Sequence, residues 1–263
     1  MKGIVGAVCG DIIGSSREFN PIKTKDFELL DEKSRYTDDS VLTMAVAKWF
    51  LIDQTHSHKS LVKSIKETCR KHITAGYGGR FNSWILSDNS EPYNSWGNGS
   101  AMRVSPVAWV GNSLDEVERL AKISAEVTHN HPEGIKGAMA TAGGIYLARI
   151  GKDKNHIKNY IENRYSYDLS GRLDDIRKSY KFEVSCQKSV PEAIICFLES
   201  DSYEDTVRNA VSLGGDCDTQ AAIGGAIASA YYDVPEEIYS ACLELLDLDL
   251  LKIFLEFNDK YMY

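Results

Sequence analysis

The stretch Leu213-Gly214-Gly215-Asp216-Cys217-Asp218-Thr219-Gln220-Ala221-Ala222-Ile223-Gly224-Gly225 constrains this chain more than any other. A glycine pair lets the backbone bend sharply and lets another group approach closely. The small residues that follow, Ala221 to Ala230, predict a tightly packed helix, so Asp216, Asp218 and Thr219 fall at or just before its N-terminus. Capping alone accounts for such a pattern, because Asp and Thr cap helices well and acids favour the first turn.

A second stretch has the same composition. Tyr36-Thr37-Asp38-Asp39-Ser40 places a Thr and two Asp before the helix-periodic apolar run Val41, Leu42, Met44, Ala45, Ala47, Trp49, Phe50. Two clusters of hard oxygen donors, both at helix starts and far apart in sequence, suggest convergence on a cation. Such donors suit Mg²⁺, Mn²⁺ or Ca²⁺ rather than zinc. Four carboxylates in one pocket repel one another unless neutralised, and two divalent ions balance them, which points to a two-metal site.

Taken in order, residues 3–14 predict a buried helix of small residues, and Ser15-Ser16-Arg17-Glu18 a loop able to carry Glu18 into a site. Residues 20–35 are charged and turn-rich, in the manner of a lid. Helices are expected over about 38–53 and 58–74, with His56 and His58 in the polar connection between them. Gly76-Tyr77-Gly78-Gly79-Arg80-Phe81 is a flexible turn whose Arg80 could meet a phosphate or an acid. The small residues of Trp96-Gly97-Asn98-Gly99-Ser100-Ala101-Met102-Arg103 before an apolar run form a possible anion cradle, although Gly-Asn-Gly is also a common turn. Arg103 could instead pair with an acid at the edge of the core.

Ser113 and Glu116 stand at capping-box spacing at the head of a helix over about 113–128. It ends at Thr128-His129-Asn130-His131-Pro132, and Pro132 precedes a small-residue helix over 133–150. Residues 151–185 show the least pattern, with a helix over about 153–162. Pro191 is expected to open a further helix, Tyr203-Glu204-Asp205 another, and the segment from Pro235 onward is helix-periodic. No repeat or linker divides the chain, so residues 1–263 read as one all-α domain.

A formal charge of −8 argues against general nucleic-acid binding. The N-terminal apolar run stops at Asp11, too short for a membrane span and without a signal-peptide cleavage region, and no stretch elsewhere reaches membrane-spanning length. Six cysteines without CxxC spacing read as reduced thiols, and together these features predict a cytoplasmic protein.

The combination of Gly10-Asp11-Ile12-Ile13-Gly14 with Glu18, Tyr36-Thr37-Asp38-Asp39, Gly97-Asn98-Gly99-Ser100-Ala101-Met102-Arg103, Thr128-His129 and Gly214-Gly215-Asp216-Cys217-Asp218-Thr219 resembles the ADP-ribosylglycohydrolase family. The resemblance implies a compact orthogonal all-α fold with two Mg²⁺ or Mn²⁺ ions in a central cleft. It implies metal ligation by Thr37, Asp38, Asp39, Asp216, Asp218 and Thr219, and matches Glu18 to the family's mobile glutamate. Gly97, Asn98, Gly99, Ser100 and Met102 would line the diphosphate and ribose, and His129 would touch the nucleotide. Asp216, Glu18 and Asp38 are the candidate catalytic residues for hydrolysis at C1″ of an ADP-ribosylated protein or small molecule. Cys217, in the middle of the D-x-D, should turn its sulfur away from the metals. Tyr180 and Phe182 are the candidates for stacking on adenine. A dinuclear phosphoesterase and a binding member without turnover are the alternatives.

Overall fold

The computed structural model describes residues 1–262 and is built from helices, fifteen among the described residues. In chain order these are α1 (Val5–Ser15), α2 (Asp38–Ile52), α3 (His58–Lys71), α4 (Gly79–Leu86), α5 (Gly99–Met102), α6 (Ser105–Val110), α7 (Leu114–Glu126) and α8 (Pro132–Arg149). There follow α9 (Lys154–Tyr165), α10 (Leu173–Ser179), α11 (Cys186–Leu198), α12 (Tyr203–Ser212), α13 (Cys217–Tyr231), α14 (Glu236–Leu243) and α15 (Leu248–Tyr261). The all-α expectation holds, and among the described residues no helix is long and apolar enough to cross a membrane.

The small-residue helix α13 lies in the middle, packed on α1, α8, α11 and α12. Its closest neighbour is α1, and the reason is a glycine stripe. Gly6, Gly10 and Gly14, spaced four apart, lie on one face of α1. A Cβ on Gly10 would come within 2.1 Å of the Ala221 carbonyl oxygen, one on Gly6 within 2.2 Å of the Ser229 side chain, and one on Gly14 within 2.5 Å of the Asp218 Cα. The start of α1 therefore meets the end of α13 and its end meets the Asp218 turn, an antiparallel contact at backbone distance. Every residue of α1 is buried, including Asp11.

Helix starts follow the local chemistry. Ser57 accepts from the Ser60 N–H, Ser113 from Glu116, Asp153 from His156 and Ser202 from Asp205. At α7 the reciprocal half of the capping box is displaced by one residue, with Glu116 Oε2 accepting from the Asn112 N–H at 2.8 Å. The amphipathic α15 turns Leu250, Phe254 and Phe257 inward. Its end reaches α2, where the Tyr261 hydroxyl donates to the Phe50 carbonyl at 3.0 Å.

Two local expectations need correction. Pro191 does not open a helix but sits inside α11, which begins at Cys186. The earlier start is set by tertiary pairing: the Asn98 N–H donates to the Val184 carbonyl at 2.7 Å and the Cys186 N–H to the Trp96 carbonyl at 2.9 Å, around an antiparallel bridge between Gly97 and Ser185. The second correction concerns residues 20–35, which are tied down rather than free-standing. Lys23 Nζ donates to the Tyr180 and Leu213 carbonyls, Arg208 to the carbonyls of Lys25 and Phe27, and Lys25 pairs with Asp205.

Candidate active site

The antiparallel α1–α13 contact delivers Asp218 beside Asp11, and Asp11 in turn organises the start of α2. It is fully buried and accepts four hydrogen bonds: from the Thr37 N–H at 3.0 Å, the Thr37 hydroxyl at 2.6 Å, the Ser40 N–H at 3.0 Å and the Ser40 hydroxyl. These bonds orient the first turn of α2, with the Thr37 hydroxyl also accepting from the Asp39 N–H at 3.3 Å. Asp38 and Asp39 are thereby aimed toward α13. The sequence reading gave Asp11 no role of its own, and the available signal was an acid inside an otherwise apolar, glycine-flanked helix.

On the α13 side, Gly214 takes a positive φ of 62°, turning the chain before Asp216. Asp216 Oδ2 accepts from the Asn98 amide at 2.7 Å, Asp218 Oδ1 from the Thr219 N–H at 2.9 Å, and the Thr219 hydroxyl donates to Asp39 Oδ2 at 3.2 Å. The Cys217 thiol points back at the Gly215 and Val211 carbonyls, 3.3 and 3.5 Å away, and is not on the cleft wall. Two carboxylate triads result, Asp11 with Asp39 and Asp218, and Glu18 with Asp216 and Asp218; within each, the possible ligand atoms lie within 4.8 Å of one another.

The acids border a cavity of about 520 Å³. Glu18, Asp38, Asp39, Asp216, Asp218 and Thr219 make up the acid side of its wall; Gly97, Asn98, Gly99, Met102, Arg103 and His129 also line it, joined to the acids where Asn98 meets Asp216, and Arg80, Tyr93 and Phe182 contribute to the wall. Thr37 and Ser100 are not on the wall. Thr37 is buried against Asp11, and the buried Ser100 hydroxyl donates to the Gly134 carbonyl at 2.7 Å. Tyr180 is also off the wall, its ring against Gly215 and its hydroxyl donating to the Lys188 carbonyl at 2.8 Å. Phe182, by contrast, is half exposed on the wall and stacks on Phe19, with ring centroids 6.4 Å apart. That stack links the Glu18 loop to the segment before α11, and no sequence pattern announced it.

Electrostatically the acid side is under strain. Burial, reinforced by the neighbouring Asp218, pushes Glu18 up to about 8. Burial also lifts Asp216 to about 6 against the lowering effect of the Asn98 bond, and holds Asp38, Asp39 and Asp218 well above the usual carboxylate range. Asp39 Oδ1 is buried with no hydrogen-bond partner among the described residues. Crowded carboxylates and an unpaired oxygen are what a hard divalent cation relieves, so the residues present fit such an ion.

A model of the ADP-ribosylglycohydrolase family matches residues 1–260. Human ADP-ribosylhydrolase ARH3 is 28% identical over an alignment covering 82% of this chain and 77% of the relative. The ADP-ribosyl-[dinitrogen reductase] glycohydrolase of Rhodospirillum rubrum is 27% identical, covering 58% of this chain and 51% of the relative. A solved structure described as an ADP-ribosylglycohydrolase-related protein complex superposes with a TM-score of 0.74 over 98% of this chain and 96% of its own at 22% identity, a likeness of fold.

Proposed function

This chain belongs to the ADP-ribosylglycohydrolase family, and from that premise we propose that it removes ADP-ribose from an acceptor by hydrolysing the bond at C1″ of the distal ribose. One observation carries the reading: acids from opposite ends of the sequence, Asp38 and Asp39 against Asp216 and Asp218, meet with Glu18 on the wall of a cavity of about 520 Å³ that the Gly97–Gly99 loop and His129 also line.

Asp38, Asp39, Asp216, Asp218 and Thr219, with Thr37 at their back, would hold two Mg²⁺ or Mn²⁺ ions. Bound there, the ions would neutralise the acids, orient the ribose hydroxyls and acidify an adjacent water. Glu18 is the proton carrier. It sits in the turn after α1 rather than on a helix, and burial beside Asp218 raises its affinity for a proton in the metal-free site. Asp216, fixed by the Asn98 amide, is the second carboxylate at the reacting carbon, and Asp38 and Asp39 position the ions. Fixing the sugar against this array is worth up to ~7–11 kcal/mol of barrier through orientation alone. Six buried, unpaired thiols support a cytoplasmic setting.

The test is product analysis on a panel of ADP-ribosyl linkages to arginine, serine, nucleobase and small-molecule acceptors, with and without Mg²⁺. Release of intact ADP-ribose that requires Mg²⁺ and disappears in Asp218→Asn supports the reading. Release of AMP identifies a phosphoesterase instead, and calorimetric ADP-ribose binding with no turnover on any linkage identifies a binding protein.

A further inference from the structure

Arg103 is fully buried, and no acid pairs with it among the described residues. Its Nη2 donates twice, to the Ser124 carbonyl at 2.7 Å and to the Thr128 hydroxyl oxygen at 2.9 Å, which occupies both hydrogens of that nitrogen. The same hydroxyl lies 2.8 Å from Nδ1 of the adjoining His129. A guanidinium cannot accept, so Thr128 must be the acceptor in the first bond, and its single proton is free for the second. If Nδ1 carried a hydrogen, the buried hydroxyl proton would have no acceptor, at a cost of about 1–3 kcal/mol. The direction of the chain is therefore Arg103 to Thr128 to His129. Nδ1 is the accepting nitrogen, and in the neutral ring the hydrogen resides on Nε2.

The cleft side of the ring agrees. Nε2 has no hydrogen-bond partner among the described residues, and it lies against the glycine loop, 3.1 Å from where a Cβ on Gly99 would stand and 3.7 Å from one on Gly97. His129 is part of the cavity wall. Burial and the nearby Arg103 charge disfavour the imidazolium, which would need a second donor site at Nδ1 that the Thr128 proton already fills.

We propose that Arg103 and Thr128 are positioning residues that lock His129 as a neutral Nε2–H donor, aimed past Gly99 at an acceptor oxygen of the bound diphosphate. The ligand assignment rests on the proposed ADP-ribose hydrolysis; the tautomer does not. The relay leaves the acid side of the cleft untouched, so it acts on ligand affinity and not on the cations. It also accounts for Gly99, where any side chain would crowd the donor.

The experiment is long-range ¹H–¹⁵N correlation of the histidine rings in the wild-type protein, Thr128→Val and Thr128→Ser, with His129 assigned by a His129→Gln variant, alongside calorimetric titration with ADP-ribose. The expected spectrum shows one protonated nitrogen at Nε2 and a bare Nδ1 in wild type and T128S. In T128V the two ring signals move toward each other as the tautomers exchange, and ADP-ribose affinity falls about three- to tenfold, the loss of one oriented hydrogen bond. T128S restores both readouts, which a merely structural loss would not permit. A His129 ring protonated at Nδ1 overturns the proposal, as does a T128V protein whose ring spectrum is unchanged. A T128V protein with altered tautomers and unaltered affinity overturns the diphosphate contact. A wild-type protein with the expected tautomer that binds no ADP-ribose refutes the ligand, and with it the proposed function, while leaving the relay established.

Discussion

Neutralising one acid of the cluster should stabilise the metal-free protein while destroying its response to metal. Asp216 is the best position for this test because Asp216→Asn keeps an acceptor for the Asn98 amide, which now sits 2.7 Å from Oδ2. Burial, the main cause, raises the Asp216 carboxyl from 3.8 to about 6, a difference of 2.2. At about pH 7.5, above both values, holding that charge in the folded state costs about 3 kcal/mol, at about 1.36 kcal/mol per pH unit. The preference of the Asn98 bond for the charged carboxylate is already contained in that value. The net gain of about 3 kcal/mol corresponds to a Tm roughly 6–12 °C higher for a chain of this size.

The sign follows from linkage. An acid whose folded value is raised is most favourable to folding below its unfolded value, and that contribution is lost as pH rises through the folded value. The metal-free wild type should therefore lose stability between about pH 4 and 6 through Asp216, and on toward about pH 8 through Glu18. The assay is calorimetric melting across this range in EDTA and again in excess MgCl2. D216N should melt higher than wild type at neutral pH in EDTA, converge with it below about pH 4, and gain little from Mg²⁺. A D216N protein that melts lower than wild type at neutral pH in EDTA, or that is stabilised by Mg²⁺ as strongly, refutes the account of a charge-strained cation site.

The remaining predictions concern the parts that hold and cover the cluster. Gly14→Ala and Gly6→Ala should each destabilise by about 1–3 kcal/mol or more through overpacking against α13, but only Gly14→Ala, which collides with Asp218, should also weaken Mg²⁺ affinity, as read by titration of the Tm shift. Asp11→Ala removes the acceptor of four hydrogen bonds at the head of α2, so it should cost at least about 2–4 kcal/mol in denaturant unfolding and reduce Mg²⁺ affinity, although Asp11 is not on the cleft wall. Phe182→Ala, at a half-exposed ring, should leave Tm nearly unchanged while raising KM several-fold; an unchanged KM would show that the Phe19–Phe182 stack has no part in holding substrate.

The all-α class, the family and most helix starts are legible in the sequence because they are written in short-range chemistry. Thr37 and Ser113 cap where a hydroxyl precedes an apolar period, and the small residues after Thr219 announce a helix that others must approach closely. Local pattern says nothing of which donor faces which acceptor across the core. That is why α11 begins five residues before Pro191, held by the bridge of Gly97 to Ser185, and why the turn-rich 20–35 segment is pinned by Lys23, Lys25 and Arg208. The same is true of Asp11, an acid whose purpose appears only when α1 lies against the start of α2, and of Arg103, whose orphan charge acquires a role through Thr128 and His129. Composition and spacing determine which groups are able to bind cations and nucleotides. Their partners, tautomers and strain are decided by long-range packing, because a hydrogen bond between residues distant in sequence exists only once the helices carrying them have met.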